Sequence, residues 1–247
     1  MVIPIDLSLN MPLPPLTQDF DTGVAEFIDF LTRLRRLPGF DVDWWAPQGP
    51  NDTRRSIWTH PNDYIERFRT TNAEYDSRPP NAIYDTFDIW AHENNDRLYQ
   101  FKYTWNNNWD RLLGEMRLSH PVYGTDPQLY LNLIEAAVAW KRPQHLEFGP
   151  WVYRRDHHPL SISRVGIGWI GWVPYALTPA DVPEAEVVRP LHDGTLIMTQ
   201  STFWQPYPTH PNYSRAAIDR AQEVELRLNL LGVLPTGDVL RRGDWGQ

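Results

Sequence analysis

The 247-residue chain contains no cysteine. This absence excludes a disulfide framework, a thiolate zinc site and a cysteine nucleophile. A chain of this length buries roughly 70–75% of the surface that its unfolded form exposes, so it needs no such cross-link to fold. One large domain is therefore expected.

Lysine is almost absent as well, because Lys102 and Lys141 are the only two and arginine supplies the remaining basic residues. With 23 basic and 31 acidic residues, the formal net charge is −8. Nucleic-acid-binding proteins normally carry a basic surface. The composition thus argues against a nucleic-acid partner and suits a basic protein partner.

Long apolar runs are also missing. Prolines interrupt the opening stretch MVIPIDLSLNMPLPPLTQ, which lacks the basic and apolar regions of a secretion signal. No segment approaches the roughly 20 apolar residues of a membrane-spanning helix. We therefore expect a cytoplasmic protein with no membrane partner. Residues 1–20 are expected to form an extended leader, 21–235 a single α+β domain and 236–247 a flexible tail.

Apolar residues recur at helical spacing in three long segments. The first runs from Val24 to Leu34, the second opens at Asp126-Pro127 and ends before position 143, and the third runs from near Pro211 to Gly232. A less regular helix is predicted over 62–75, with proline in its first turn. These segments are the main helices of the predicted fold.

Alternation of apolar and polar residues in RLYQFKYTW (97–105) predicts a strand, with the stretches 83–91 and 112–120 as its neighbours in a meander. Further strands are predicted over 146–154, 165–173, 186–191 and 195–203. Helices separated by runs of strands indicate an α+β fold. We expect one or more antiparallel sheets of about seven short strands in all, together with three main helices.

The stretch GIGWIGWVPY (166–175) contains a G-x-G-x-x-G pattern. A dinucleotide-binding loop must follow a strand and open a helix, because the phosphate lies at the helix N-terminus. Here strand-forming residues surround the glycines and a proline stands where the helix would begin. The pattern therefore indicates a strand in which glycine permits close packing.

A second pattern is typical of a catalytic site: Asp88 on one predicted strand lies near Gln100 and Lys102 on the next. It resembles the acid…(E/Q)-x-K arrangement of restriction-type nucleases, in which a carboxylate holds magnesium and a lysine polarises the attacking water. The alternative is a polar strand face with Lys102 paired to Asp88 or Asp85. No other grouping assembles a nucleophile, a base and an oxyanion site. We accordingly expect no enzyme, with no catalytic residue, metal ion, cofactor or small-molecule substrate.

The C-terminal half contains three segments whose order forms one pattern: GWIGWVPYAL (168–177), EVVRPLHDGTLIMTQSTFW (186–204) and HPNYSRAAIDRAQEVELRLNLLGVLP (210–235). Together these segments resemble the immunity protein 52 family. The resemblance lies in a Gly-Trp strand, a GTLI strand and a helix that starts at Pro-Asn and ends in a GLLP-like sequence. A narrower likeness is to TsiT-type immunity partners of restriction-endonuclease-like effectors. The N-terminal part departs from the pattern, since MPLPPLTQDF stands where a Tyr-Trp-Gly strand is expected.

The resemblance implies a protein that protects a bacterium by binding and neutralising a cognate toxin, such as a nuclease-type effector of type VI secretion encoded by a neighbouring gene. Aromatic residues flanked by acids in loops are the expected anchors of such a partner. The best candidates lie in two segments, DVDWW and the neighbourhood of HENND, and are Asp41, Asp43, Trp44, Trp45, Asp88, Trp90, Glu93 and Asp96. Weaker candidates lie in 105–110 and 203–207.

Two alternatives stay open at this point. One is the magnesium-dependent nuclease built on Asp88 and Lys102, and the other is a scaffold protein without a toxin. For each tryptophan, the sequence supports burial in the core at least as well as exposure in an interface.

Overall fold

The computed structural model describes residues 6–16, 18–45, 56–76, 85–93, 96–105, 110–117, 126–161 and 163–246. Nine strands and six helices lie within these ranges. In chain order they are β1 (Asp6–Pro12), α1 (Phe20–Leu34), β2 (Asp43–Trp45), α2 (Pro61–Asp76), β3 (Asp85–Glu93), β4 (Asp96–Trp105), β5 (Arg111–Arg117), α3 (Pro127–Trp140), β6 (Leu146–Pro150), α4 (Trp151–Asp156), β7 (Ile170–Val173), β8 (Val187–Leu191), β9 (Gly194–Met198), α5 (Arg215–Leu230) and α6 (Gly237–Arg242).

All nine strands belong to one sheet, in the order β2-β3-β4-β5-β1-β6-β7-β9-β8, and every neighbouring pair is antiparallel. This confirms the α+β class. The seven predicted strands are all present, and β1 and β2 are additional. Three of them are shorter than predicted: residues 151–156 form α4 instead of continuing β6, β7 begins only at Ile170, and β9 ends at Met198.

The predicted leader contains β1, which lies in the middle of the sheet with β5 on one side and β6 on the other. Its alternation accounts for this position: Leu7, Leu9 and Met11 are buried, whereas Ser8 and Asn10 are only partly buried. Residues 237–242 of the predicted flexible tail form α6, capped by the Thr236 hydroxyl. Both ends of the described chain thus contribute regular structure.

Side-chain caps define the helix starts. Asp19 accepts a hydrogen bond from the amide of Thr22, Asp126 from that of Gln128, and Ser214 from that of Ala217. The predicted start at Asp126-Pro127 is confirmed, whereas α5 begins four residues after the predicted Pro211.

The larger core lies between one face of the sheet and helices α1 and α3. Its centre is aromatic: Phe30 of α1 lies 5.6 Å from Phe101 of β4 and 4.9 Å from Trp140 of α3, measured between ring centroids. Rings at such separations contribute beyond their buried area. The apolar faces that periodicity predicts for α1 and β4 therefore pack against each other.

A second apolar cluster lies on the other face, where Val224 and Leu228 of α5 pack with Val173 and Ile197. Along β9 the residues alternate between the two clusters, with Leu196 and Met198 in the first and Ile197 in the second. Strands β7 and β9 are thus covered on both faces, which explains why every residue in them is buried. None of the helices in the described ranges has both the length and the apolar character needed to cross a membrane.

We expect Gly23→Ala to destabilise the protein, because a Cβ at position 23 of α1 would overlap the ring of the buried Trp105. Overpacking of this kind costs about 1–3 kcal/mol of the free energy of unfolding, measured by urea denaturation. In a Trp105→Leu background the same change should instead be neutral or stabilising by up to about 1 kcal/mol, since alanine favours helix over glycine. An equal effect in both backgrounds would contradict the packing argument.

Candidate functional site

The two segments predicted to bind a partner meet at one edge of the sheet. β2 is the edge strand and pairs with β3, so that Asp43 lies opposite His92, Trp44 opposite Ala91 and Trp45 opposite Trp90. About fifty residues of sequence separate these segments, and only the pairing brings them together. We call the surface formed by Asp41, Asp43 and the β2–β3 pair the β2 edge.

The two aspartates of the β2 edge are accessible. Asp41 lies 3.5 Å from Arg35 with 79% of its side chain exposed, and the Ser56 hydroxyl donates to Asp43 at 3.4 Å. The guanidinium of Arg35 lies over the ring of Trp58, 5.0 Å from its centroid. Both carboxylates therefore remain available to a basic partner.

Trp44 was predicted to be an interface anchor, and the structure corrects this. It is fully buried, with its ring centroid 6.1 Å from that of Tyr99 and 5.7 Å from that of Phe101. Successive residues of a strand point to opposite faces, so burial of Trp44 leaves Asp43 on the other face of the sheet. The core interpretation, which the sequence left open, is the correct one for this tryptophan.

The other five candidates are placed by their backbone alone, since their side chains are outside the described parts of the structure. Trp45 pairs with Trp90, Glu93 at the end of β3 pairs with Asp96 at the start of β4, and Asp88 pairs with Lys102. Four of them thus lie on the hairpin that adjoins β2, and Trp45 lies on β2 itself. Their role as partner contacts stays a prediction.

Most described residues of the weaker candidate segments are buried. In 105–110, Trp105 and Asp110 are 0% and 3% exposed, and positions 106–109 lie outside the described ranges. In 203–207, Phe203, Trp204 and Gln205 are also buried. These segments offer little surface to a partner.

The nuclease hypothesis finds its two residues in the expected register, with Asp88 directly across from Lys102. Within the described ranges, no group of three or more histidine or acidic side chains has the geometry to hold a metal ion. The side chain of Asp88 does not belong to that set. The hypothesis therefore stays a prediction.

A buried polar cluster escaped the sequence analysis, and its centre is Glu225 of α5, which is 0% exposed. Its Oε1 accepts hydrogen bonds from the amides of Ile167 and Gly168 at 2.8 and 3.0 Å. Its Oε2 accepts one from the Tyr153 hydroxyl at 2.9 Å and lies 2.8 Å from Nδ1 of His158. The spacing of Ala217, Ala221, Glu225 and Leu228 along α5 was the available signal, because it places one acid on the apolar face.

The G-x-G-x-x-G stretch is explained by this cluster. A Cβ at position 166 would overlap Oε1 of Glu225, and Gly168 has a φ of +65°, a conformation that favours glycine. Two consecutive backbone amides of the stretch donate to the side chain of Glu225, so they are already occupied by a group of the protein itself. The prediction of a structural role is confirmed, with only Ile170–Val173 forming the strand.

Burial shifts the pKa values of two further groups beside this cluster, His145 and Glu147, in opposite directions. It lowers the pKa of His145 to about 4, although the hydrogen bond from its Nε2 to the carbonyl of Gly166 at 2.7 Å acts the other way. It raises the pKa of Glu147, against the attraction of Arg154, whose guanidinium lies 3.8 Å away. Both shifts favour the neutral forms, as expected where water is excluded.

No protein-family model matches the chain, and no curated protein matches its sequence. Among solved structures, the chain is similar to the Pseudomonas aeruginosa T6SS protein PA0821, with a TM-score of 0.51 and 9% sequence identity. The similarity covers 90% of this chain and 72% of that one. At such low identity it shows a shared fold, and membership of the immunity protein 52 family stays a prediction.

We expect His145→Gln to make the protein less sensitive to acid. A histidine with a folded pKa of about 4 and an unfolded pKa near 6.5 stabilises the fold fully above pH 6.5, and this contribution is lost as the pH falls toward 4. The loss amounts to about 3 kcal/mol, and glutamine can keep the hydrogen bond without titrating. Free energies of unfolding measured between pH 7 and pH 4.5 should therefore fall less steeply in the variant.

The exposed His60 provides the matched control, because His60→Gln makes the same chemical change outside the core. Glu147 acts in the opposite sense, because its raised pKa favours the fold at low pH, but it is present in all three proteins. Identical slopes for His145→Gln and the wild type would contradict the assignment.

Proposed function

We propose that this chain is an immunity protein, which binds and neutralises a cognate toxin through the β2 edge and protects the cell that produces that toxin. The observation that carries the proposal is the β2–β3 pairing, which joins two acidic, tryptophan-containing segments at one edge of the sheet. The similarity in fold to a T6SS protein and the resemblance of the C-terminal half to immunity protein 52 support a role in type VI secretion.

The proposed mechanism is steric and electrostatic, and the chain itself performs no catalysis. Nuclease toxins are basic where they hold phosphate, so an acidic inhibitor with a net charge of −8 attracts them over long range. Exposed acids such as Asp41 and Asp43 would increase the association rate, while aromatic contacts would slow dissociation. The proposed partner is a protein with a basic surface, encoded by a gene next to this one.

The function is tested by expressing the neighbouring gene product with and without this chain in the same host, and by co-purifying the two. We expect the neighbour alone to arrest growth, and this chain to restore growth and to form a stable complex with it. A neighbour that is harmless or does not bind would overturn the proposal. Magnesium-dependent cleavage of DNA by the purified chain, abolished by Lys102→Ala, would favour the nuclease alternative instead.

The surface is tested by reversing the charge of the β2 edge with Asp41→Lys and Asp43→Lys together. We expect the association rate constant to fall about 10-fold or more at low salt, with a weaker dependence on ionic strength than in the wild type, because the steering charges are lost. Stopped-flow or surface plasmon resonance measurements over a salt series provide both quantities.

Asp193→Lys is the matched control. This residue lies in the β8–β9 turn at the opposite end of the sheet, its side chain is 50% exposed, and like Asp41 it is paired with an arginine. It should slow association only slightly, through the change in net charge. Equal effects per charge at the two ends would show that binding depends on overall charge and not on the β2 edge.

A further inference from the structure

Residues 56–58 cover the outer side of β2, the strand that we propose faces a partner. The amide of Ile57 donates to the carbonyl of Trp44, the middle residue of β2, at 2.9 Å. A partner that added a strand to this edge would have to displace that hydrogen bond. Recognition at the β2 edge is therefore expected to depend on side chains, and the side chains next to β2 show which chemistry they suit.

Arg35, the residue that caps the end of α1, covers part of this edge. Its guanidinium lies 5.0 Å from the ring centroid of Trp58, and its Nε lies 3.5 Å from a carboxylate oxygen of Asp41. Trp58 is partly exposed, and the side chains of Arg35 and Asp41 are 44% and 79% exposed. An aromatic ring and a carboxylate thus contact one guanidinium at the surface of the protein.

An aromatic face next to a carboxylate suits arginine better than lysine. The planar guanidinium can stack on the ring while its N–H groups point to the carboxylate, whereas an ammonium is a compact and strongly hydrated charge. In the free protein this combination is occupied by the chain's own Arg35. Ion pairs and cation–π contacts that are open to solvent contribute little free energy, so an arginine from outside can exchange with it.

We propose that Arg35 occupies the position that an arginine side chain of the toxin takes in the complex, and that it therefore acts as an intramolecular competitor at the β2 edge. This inference rests on the proposed function, because it takes the β2 edge to be the binding surface. The incoming guanidinium stacks on Trp58 and pairs with Asp41, and Arg35 moves away. The partner is thereby specified as a protein that presents arginine, and Arg35 lowers its affinity for the β2 edge.

The competition is tested with the toxin by comparing Arg35→Gln with Arg33→Gln. Arg33 is the matched control, because it lies on the same helix, is 49% exposed and pairs with Asp29 at 2.8 Å, so both variants remove one cation from an exposed ion pair. We expect Arg35→Gln to bind the toxin about 3- to 10-fold more tightly than Arg33→Gln, since no competitor has to be displaced. Equal affinities, or weaker binding by Arg35→Gln, would overturn the inference.

The preference for guanidinium is tested without the toxin, by titrating the same two variants with a tetra-arginine and a tetra-lysine peptide. The indole N–H signal of Trp58 is followed by NMR and assigned with Trp58→Phe, and calorimetry of the same titrations needs no assignment. We expect the Kd of tetra-arginine to be at least about 3-fold lower for Arg35→Gln than for Arg33→Gln, and tetra-lysine to bind Arg35→Gln less tightly than tetra-arginine. Adding Asp41→Asn to Arg35→Gln should weaken the binding of tetra-arginine.

The inference and the proposed function fail in different ways. If the neighbouring gene product does not bind this chain, the proposed function is wrong, and the peptide titrations still decide whether Arg35 competes with an arginine from outside. If the gene product binds and the two arginine variants are alike toward it, only the inference is wrong. Equal binding of tetra-arginine by the two variants would likewise overturn the inference alone.

Discussion

A single carboxyl group, that of Glu225, connects four parts of the polypeptide: helix α5, helix α4, the loop at His158 and the glycine stretch before β7. This carboxyl group is fully buried. Burying such a group is costly unless every hydrogen bond is made, and here each oxygen has two partners. The position of α5 on the second face of the sheet, and hence the smaller core, depends on this arrangement.

The sheet distributes its two faces unequally, which has consequences for function. Strands β7 and β9 have buried apolar side chains on both faces, one in the larger core and the other in the smaller core. These strands therefore contribute to the stability of both cores. Strands β4 and β1 bury one side only, with Gln100 and Lys102 of β4 and Ser8 and Asn10 of β1 partly accessible on the other. The β2 edge, which carries the accessible Asp41 and Asp43, lies at the far end of the sheet from β8.

Tryptophan is common in protein interfaces, but the core of this protein buries several of its tryptophans. Trp44, Trp105, Trp169, Trp172 and Trp204 are all fully buried, and Trp169 and Trp172 also donate to main-chain carbonyls of Gln200 and Leu191. Their large apolar area explains this preference, since the free energy of burial scales with area. Among the interface candidates whose side chains are described, the exposed ones are consequently the acids Asp41 and Asp43, whereas Trp44 belongs to the core.

The local sequence by itself determined the four longer helices, the meander of β3 to β5 and the α+β class, because these depend on periodicity, caps and turns between neighbours along the chain. It also determined that the glycine stretch has no helix after it to bind a phosphate. Only the tertiary structure decided that β1 enters the centre of the sheet, that β2 pairs with β3 and that Glu225 faces the glycine amides. These are contacts between residues far apart in sequence, and which partner a strand edge or a buried carboxyl group finds depends on the packing of the whole chain.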